Sequence, residues 1–353
     1  MTKLYILTII STIFIGCTST NDSYTPESIS EEVTLEKDIK FDSPYMLAHY
    51  IDVGQGDATL LEFPCGAILI DAGGSENGGS KRLVPYLKNF FKRRKDLKNT
   101  LNAIIITHNH VDHNNQLEEV MTKFKVKQYI EGGINNSGKG KSASLWAQKN
   151  RKSIFYPITN KMVKASPEKA LTNKKIDSVH CESCDPEIKI LHGSITMAED
   201  KDLNNHSLVI RIDFGKSSFI FTGDLEFHSI AKLLKQNKAA LDTDVYQVGH
   251  HGSDNATTKA LLDAITPDYS IISMSSVDFR EGAHNAFAYG HPRLKVIKLL
   301  NDENKKAKSR SIPAATGQRS FVNYKISSHI YATGWDGDVI LKAHKNGFIR
   351  KLK

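Results

Sequence analysis

The chain has 353 residues, of which 40% are hydrophobic and 24% charged, and its formal net charge is +8. This modest basic excess favours anionic partners such as phosphates, nucleic acid or a lipid surface. After residue 16 no stretch is apolar enough to cross a bilayer, so the remaining sequence predicts no membrane channel.

Residues 1–16 are predicted to be a signal peptide. Lys3 gives a short positive start, and the apolar run after it has the length of a signal-peptide core and is too short to span a bilayer. Cys17 stands in a sequence similar to a bacterial lipoprotein cleavage site; an ordinary signal peptide with an incidental cysteine is the alternative. Residues 17–42 are predicted to be a lipidated cysteine and a solvated tether, because they are rich in Ser, Thr, Glu and Asp.

These features predict a lipoprotein of the bacterial cell envelope, facing the periplasm or the cell surface and held to a membrane through Cys17. Removal of the signal peptide deletes one basic residue and no acidic one, which leaves 46 basic and 39 acidic residues and a mature charge of +7.

Residues 43–353 are predicted to form one α/β domain, since such folds often exceed the usual domain length. Apolar patterns predict strands near 45–52, 58–63, 67–71, 103–107, 207–214, 217–222, 245–249 and 269–273, and helices near 81–95, 117–124 and 228–236. In 208–214 the apolar residues alternate, which predicts that one face of that strand is buried. The polar stretches 135–144 and 276–289 are predicted to be mobile loops near the mouth of the site.

The most informative segment is Thr107-His108-Asn109-His110-Val111-Asp112-His113, directly after the apolar run 103–106. Imidazole and carboxylate groups are ligands for Zn, Mn and Fe. His108 and His110, two residues apart, can face one metal, and Asp112 and His113 can face a second. An accidental histidine-rich loop is the alternative, but it would seldom follow this order at a strand end.

Three further polar motifs end or begin predicted strands. His206 precedes the strand at 207–214, Gly223-Asp224 follows the strand at 217–222, and His250-His251 follows the strand at 245–249. Each motif alone is weak, since a Gly-Asp pair is usually a turn. Together with the first motif they resemble the signature of the metallo-β-lactamase superfamily, and the order of all four elements matches that family.

Within that superfamily the chain resembles the soluble hydrolase domain of ComEC-type competence proteins. The resemblance covers roughly residues 45–345 and is carried by Ile51-Asp52-Val53-Gly54-Gln55-Gly56-Asp57, Leu69-Ile70-Asp71-Ala72-Gly73-Gly74, Thr222-Gly223-Asp224-Leu225-Glu226, Gly249-His250-His251-Gly252-Ser253 and Tyr289-Gly290-His291-Pro292. It implies an αββα sandwich with metals at one edge of two sheets. The chain departs from that branch in having His110 and His206, which moves it toward the fuller histidine pattern of the superfamily.

The resemblance implies a dinuclear site that holds two divalent metal ions, with Zn favoured and Mn or Fe as alternatives. The implied ligands are His108, His110, Asp112, His113, His206, Asp224 and one of His250 or His251. Metal coordination lowers the pKa of bound water toward ~7, which would give a nucleophile at neutral pH. We assign Asp112 a catalytic role, and His291 is the candidate for a proton donor or oxyanion contact, with a satisfied loop histidine as the alternative. Asp52 and Asp57 are expected to support the metal loops.

Cys65, Cys181 and Cys184 remain after Cys17. The segment 180–184 is compatible with a structural metal knuckle, although a second Cys/His pair at the proper spacing is missing. An exported compartment makes a small disulfide loop at least as plausible. Asp224 stands where several true β-lactamases have cysteine, which disfavours antibiotic hydrolysis of that type.

Three functions remain open from the sequence. The first is a phosphodiesterase or nuclease with an anionic substrate such as nucleic acid or another phosphodiester. The second is a hydrolase of another ester class, such as a phosphocholine esterase, a lactonase or a β-lactamase. The third is a non-catalytic surface-binding lipoprotein, which the long set of metal-capable residues disfavours.

Overall fold

A computed structural model describes residues 44–74, 82–133, 139–150 and 152–353. The predicted signal peptide, Cys17 and nearly all of the predicted tether therefore lie outside the described residues. In the described part of the chain, no helix is long and apolar enough to cross a membrane.

The strands of the described residues are β1 Tyr45–Tyr50, β2 Thr59–Phe63, β3 Gly66–Ile70, β4 Thr100–Ile105, β5 Lys125–Glu131, β6 Ile154–Pro157, β7 Glu187–His192, β8 Val209–Phe214, β9 Ser217–Phe221, β10 Val245–Gln247, β11 Tyr269–Ile272, β12 Lys306–Gly317, β13 Ser320–Ser328, β14 Ile330–Ala332, β15 Val339–His344 and β16 Ile349–Lys351. The α-helices are α1 Leu83–Arg93, α2 Val111–Asn114, α3 Leu117–Lys123, α4 Lys139–Lys149, α5 Asn160–Ala165, α6 Phe227–Asn237, α7 Lys259–Ile265, α8 Ala286–Tyr289, α9 Leu294–Glu303 and α10 Thr333–Asp336.

The strands form two large sheets and one separate hairpin. One sheet has the order β16-β15-β1-β2-β3-β4-β5-β6, the other has the order β14-β11-β10-β9-β8-β7, and β12 pairs with β13. Strands β3 to β6 run parallel, and so do β9, β10, β11 and β14. In each parallel group the carboxyl ends of the strands therefore lie at one edge of the sheet.

Three apolar clusters define the layers. The first lies between the sheets and joins Tyr50 and Ile105 of one sheet to Ile212 and Phe221 of the other. The ring centroids of Tyr50 and Phe221 lie 6.4 Å apart across this interface. Each fully buried side chain of this size contributes about 1.5–3 kcal/mol, so the interface between the sheets is the main stabilising layer.

The other two clusters cover the outer faces of the sheets. Helices α1 and α3 pack on the eight-stranded sheet, where Leu87 and Val120 are fully buried. Helices α6, α7 and α9 pack on the six-stranded sheet through residues such as Leu233 and Ile297. The result is the predicted αββα sandwich.

The alternation predicted for 208–214 is confirmed, since Leu208, Ile210, Ile212 and Phe214 all belong to the cluster between the sheets. The predicted loop at 135–144 is partly wrong, because α4 begins at Lys139. Asn114 Nδ2 donates to the carbonyl oxygen of Gly140 (2.9 Å), and this contact fixes the start of α4 against the loop that follows β4. The hairpin β12–β13 was not predicted.

A disulfide joins Cys65 to Cys181 across 116 residues of sequence. The expected alternatives for segment 180–184 are therefore both wrong, since Cys181 is unavailable for a short loop with Cys184 or for a metal knuckle. Cys184 is buried and takes no part in the disulfide. The bond connects the turn between β2 and β3 to the segment before β7, and so joins the two sheets.

Replacing Cys65 and Cys181 together by alanine should lower the free energy of unfolding by about 2–5 kcal/mol, because the crosslink restricts the unfolded chain. Urea unfolding followed by circular dichroism measures the change. Reductant should destabilise the natural protein and leave the double variant unaffected. Equal stability of the natural protein with and without reductant would show that the disulfide does not contribute.

Candidate metal centre

The site lies at the carboxyl ends of strands from both sheets. β4 leads into Thr107 to His113, β9 leads into Asp224, and β10 leads into His250 and His251. Because all three segments follow parallel strands, their side chains meet at one edge of the sandwich. The strand-end positions deduced from the sequence therefore bring most of the predicted ligands together.

Asp224 is the centre of the cluster. Its Oδ2 atom lies 3.3 Å from His113 Nε2, 3.7 Å from His250 Nε2, 3.8 Å from His251 Nε2 and 3.9 Å from His108 Nε2. The carboxylate is almost fully buried, with 3% exposure. One buried oxygen facing four imidazole nitrogens is the arrangement expected of a carboxylate that bridges two cations.

Two groups of donor atoms around Asp224 are compact enough to hold an ion each. His108, His113 and Asp224 form one group, and Asp112, His113 and His251 form the other, with the ligand atoms of each within 4.8 Å of one another. A third compact group, Asp57, Asp71 and His113, lies deeper. Asp71 supports His113 in that group through a hydrogen bond and leaves the Nε2 side of the ring to the cluster.

His110 faces His108 beside the first group. His108 Nε2 and His110 Nδ1 lie 3.0 Å apart. Two nitrogens bound to one tetrahedral Zn at ~2.0–2.1 Å would lie about 3.3 Å apart. The pair is therefore nearly in position to bind one ion. Burial first, and then the neighbouring His113 and His110, hold the pKa of His108 well below its usual value, which keeps it in the neutral form that binds metals.

His113 provides the clearest sign that a cation fits here. Its Nδ1–H donates to Asp71 Oδ2 (2.8 Å), while its Nε2 atom is buried and has no hydrogen-bond partner within the described structure. Asp71 also accepts hydrogen bonds from the Thr107 backbone N–H (2.7 Å) and hydroxyl (2.8 Å). A carboxylate that fixes one imidazole nitrogen while the other faces a donor cluster is the usual outer support of a histidine metal ligand.

The structure separates the roles of His250 and His251. The Nδ1–H of His251 donates to the carbonyl oxygen of Ser273 (2.7 Å), which directs Nε2 to Asp112 Oδ2 at 3.3 Å. His250 is more exposed, and its Nδ1 lies 3.3 Å from Glu226 Oε1. Of the two candidates, His251 has the geometry of a ligand, and His250 lines the opening above Asp224.

His250 and His251 both adopt left-handed backbone conformations, with φ of 49° and 52°. This conformation is rare for residues other than glycine and is characteristic of functional sites, where the surroundings must hold it in place. The hydrogen bond from the His250 backbone N–H to the Gly223 carbonyl oxygen (3.2 Å) ties this turn to the loop that carries Asp224.

Glycine is required where the backbone of Asp112 crosses the first two loops. A Cβ atom on Gly73 would lie 1.6 Å from the Asp112 carbonyl oxygen, and one on Gly56 would lie 2.6 Å from it. That oxygen accepts a hydrogen bond from the Asp57 backbone N–H (3.0 Å). Asp57 thus supports the metal loop as expected, and Asp52 lies in the neighbouring turn, where it accepts from the Gly54 N–H (3.2 Å).

The pKa values of the site residues reflect the dense packing of acids and histidines. Burial raises the pKa of Asp224, but His113, His250 and His251 outweigh it and hold the pKa well below the usual range. Burial lowers the pKa of His251, but Asp224 and Asp112 raise it to about 9. Each group is thus charged mainly because its neighbours are, and a bound cation can take the place of the protons on the histidines.

His206 is not brought to this cluster. Its Nδ1 lies 2.8 Å from the carbonyl oxygen of Ile195, and its Nε2 lies 2.9 Å from that of Asp200. The loop after β7 therefore occupies both atoms through which the ring could bind a metal. The geometry gives no support to the predicted role of His206 as a ligand.

His291 lies at the rim of the site after α8. Its ring centroid is 5.8 Å from that of His250 and 6.5 Å from that of His251, and its buried Nδ1 has no hydrogen-bond partner among the described residues. Burial, and then the charges of His251 and His250, lower its pKa to about 3. A neutral ring can still donate one N–H, so the oxyanion contact fits this geometry better than the proton donor.

Asp71 lies within the Leu69 to Gly74 motif, but its support of His113 was not predicted from the sequence. Asp71 has a positive φ of 58° at the end of β3, and it is 1% exposed. The sequence signal was a lone carboxylate between an apolar strand and two glycines, which fits both a turn and a support for the site.

The chain is similar to several known proteins. The model of the metallo-β-lactamase superfamily matches residues 51–173. ComE operon protein 3 of Bacillus subtilis (strain 168) is 28% identical over 271 residues, which are 71% of this chain and 30% of that protein. Recombination protein 2 of Haemophilus influenzae is 28% identical over 226 residues, covering 63% of this chain and 23% of that protein.

The chain spans about a quarter to a third of the length of these two curated relatives. Among solved structures, the metallo-β-lactamase fold protein YhfI from Bacillus subtilis covers 64% of this chain and 84% of its own, with 10% identity and a TM-score of 0.38. The matched segment contains the Thr107 to His113 motif, whereas Asp224, His250 and His251 lie beyond it. Residues 51–173 of the chain therefore match the metallo-β-lactamase superfamily, and the chain is similar to ComEC-type competence proteins.

Proposed function

We propose that this chain is a dinuclear metal-dependent phosphodiesterase of the bacterial cell envelope that acts on nucleic acid ahead of small diesters. The carrying observation is the buried Asp224 carboxylate, which faces four imidazole nitrogens at 3.3–3.9 Å. Phosphodiester cleavage suits such a site best, because a pair of cations can bind both the attacking group and the negative oxygens of the substrate.

The residues present fit two ions. His108 and Asp224, with His110 beside them, would hold one, and Asp112 and His251 would hold the other, with His113 belonging to both groups of donor atoms. Bound metals would supply a hydroxide at neutral pH, since coordination lowers the pKa of water toward ~7. We favour Zn because the donor set is mainly imidazole, with Mn or Fe as the alternatives.

The protein's own groups would orient the metal ligands and stabilise negative charge on the substrate. Asp71 holds the ring of His113 in one orientation, and the Ser273 carbonyl does the same for His251. Asp112 Oδ2 lies 3.3 Å from His251 Nε2, and 29% of the Asp112 side chain is exposed. Asp112 therefore contacts the cluster and is also accessible to solvent. His291 is placed to donate its N–H to a negative oxygen of the substrate.

Envelope attachment is supported by the sequence before residue 43 and by one structural observation. A disulfide between Cys65 and Cys181 suits an oxidising compartment outside the cytosol. We therefore assign residues 1–16 to a signal peptide and Cys17 to the lipid anchor, with a tether that leads into the hydrolase domain.

Two metal ions per chain are expected in the purified natural protein after reconstitution, measured by inductively coupled plasma mass spectrometry.

Asp71→Asn should reduce metal affinity or activity by about 10–100-fold, because the ring of His113 loses its support. Asp224→Ala should lose more, with the fold retained by circular dichroism. Asp263→Ala, an exposed position on α7, is the matched control and should behave like the natural protein. Tight binding of a single ion at most would contradict the dinuclear site.

Phosphodiester cleavage is expected in a panel of chromogenic substrates that contains bis(p-nitrophenyl) phosphate, p-nitrophenyl phosphate, p-nitrophenyl phosphorylcholine, a lactone and a cephalosporin. The metal-loaded protein should hydrolyse the diester and cleave single- or double-stranded nucleic acid. Hydrolysis of the lactone, the cephalosporin or the phosphocholine ester alone would transfer the assignment to another ester class. Inactivity on every substrate with both metals bound would favour a non-catalytic binding protein.

Cys17→Ser should move the protein from the membrane pellet to the soluble fraction, because the acyl chains attach to that thiol. Fractionation of expressing cells followed by immunoblotting measures the shift, and incorporation of labelled palmitate should disappear with it. Cys184→Ser serves as the control for loss of a thiol elsewhere. Unchanged membrane partition of the Cys17 variant would show that another feature anchors the protein.

A further inference from the structure

The hairpin β12–β13 lies outside both sheets of the sandwich and returns to the metal centre. The Ala315 backbone N–H donates to the Pro292 carbonyl oxygen (2.8 Å), and the Arg319 N–H donates to the Phe287 carbonyl oxygen (3.0 Å). Both contacts are made to the segment that carries His291. The turn of the hairpin therefore forms one wall of the site's mouth.

Between this hairpin and α9 lies a groove of about 570 Å³. One end lies next to a metal loop, because the Arg293 backbone N–H donates to the carbonyl oxygen of Gly252 (2.9 Å), the residue that follows His251. Lys295 and Lys298 continue along α9, where positions three apart are neighbours on one face. The groove thus leads away from the metal centre along a line of basic side chains.

Arg293 is a cation without a counter-ion. Its side chain is half-buried, its Nε atom is buried, and within the described structure it makes neither a hydrogen bond nor an ion pair. Lys295 likewise has no ion pair there. The lining acids Asp254 and Asp302 leave the groove with an excess of one positive charge. A partly buried guanidinium with no carboxylate within ion-pair distance is suited to an anionic ligand.

The start of α9 adds to the positive charge of the groove. Arg293 is its N-cap residue, its first turn has no acidic residue, and no side chain caps its free N–H groups. Basic residues at the positive end of a helix are unfavourable unless an anion neutralises them. The segment 304–328, which includes the hairpin, has six basic residues and no acidic one.

Some of these hairpin cations already have partners. Lys305 pairs with Asp268 (3.0 Å), and Arg310 pairs with Asp336. Lys305 therefore does not extend the groove. Arg319, at the turn of the hairpin, is exposed, and its side chain makes no hydrogen bond or ion pair among the described residues, so it remains available on the wall of the mouth.

We propose that the groove between α9 and the hairpin is a track for a nucleic acid strand. Arg293 binds the phosphate next to the one at the metal centre, and Lys295 and Lys298 bind those that follow. This inference rests on the proposed phosphodiesterase function and deepens it, because a small diester ends before the groove whereas a polymer fills it. Contacts to phosphates alone give little sequence preference.

The test is binding of a fluorescein-labelled single strand of about 20 thymidines with phosphorothioate linkages, followed by anisotropy over a range of salt concentrations. Lys295→Gln/Lys298→Gln should weaken binding by about tenfold. The slope of log Kd against log salt should fall by about 1.4, since each neutralised phosphate contributes about 0.7 for single strands. Arg293→Gln is the second variant, and it should weaken binding on its own.

Lys88→Gln/Lys92→Gln is the matched control. It removes two exposed lysines from α1, on the outer face of the other sheet, and should leave binding unchanged. The groove variants should also lower the ratio of kcat/KM for the strand to kcat/KM for bis(p-nitrophenyl) phosphate, and the control should not.

Equal effects of groove and control variants, or no effect of either, would overturn the track even if the small diester is cleaved. Loss of strand binding confined to the groove variants would support the track even if the natural protein cleaves no diester, and only the proposed function would then fail.

Discussion

The buried hydrogen bond from His113 to Asp71, 2.8 Å long, holds together the edge of the sandwich on which the site depends. Asp71 ends β3, His113 follows β4, and the free nitrogen of the same ring faces Asp224 after β9. One imidazole thus connects the two sheets at the metal edge. Because Asp71 also accepts two hydrogen bonds from Thr107, it fixes the start of the histidine loop as well as its end.

This arrangement concentrates carboxylates where water is excluded. Asp57, Asp71 and Asp224 are each 7% exposed or less, and burial, followed by the charge of Asp71, raises the pKa of Asp57 to about 6. Unpaired buried charges are costly, so such a group must be balanced by cations. Protonated histidines balance part of it, and divalent ions would balance it while leaving the ligands neutral or anionic as binding requires.

The family resemblance implied the sandwich and the ligand set, and local patterns located the strands and strand ends. Alternation fixed the buried face of 208–214, and apolar runs located the strand ends that carry Asp112, Asp224 and His251. The sequence did not predict features that depend on contacts between residues far apart along the chain. His206 has the right spacing, but the carbonyls of Ile195 and Asp200 take both its nitrogens.

Two other features were hidden for the same reason. The pairing of Cys65 with Cys181 spans 116 residues and depends on how the two sheets meet. The hairpin β12–β13 carries scattered polar and basic residues rather than a clear alternation, and its significance comes from where its turn lies. Adjacent histidines such as His250 and His251 are equivalent in sequence, and only the hydrogen bond to Ser273 distinguishes them.

At this edge of the molecule the sign of the charge differs between the buried floor of the site and its rim. Acids dominate the buried floor, whereas His250 and Arg293 lie nearer the rim. Burial, and then the charges of His251, His250 and Arg293, lower the pKa of His291. An anionic substrate is therefore attracted to the mouth by the protein's own side chains and is opposed by the acidic floor. Cations bound over Asp224 would reverse that opposition, so the metals determine whether an anion held at the rim can reach the reactive centre. The same division is consistent with the proposed track, because a basic groove would hold the strand while the deeper site would act on a single phosphate group.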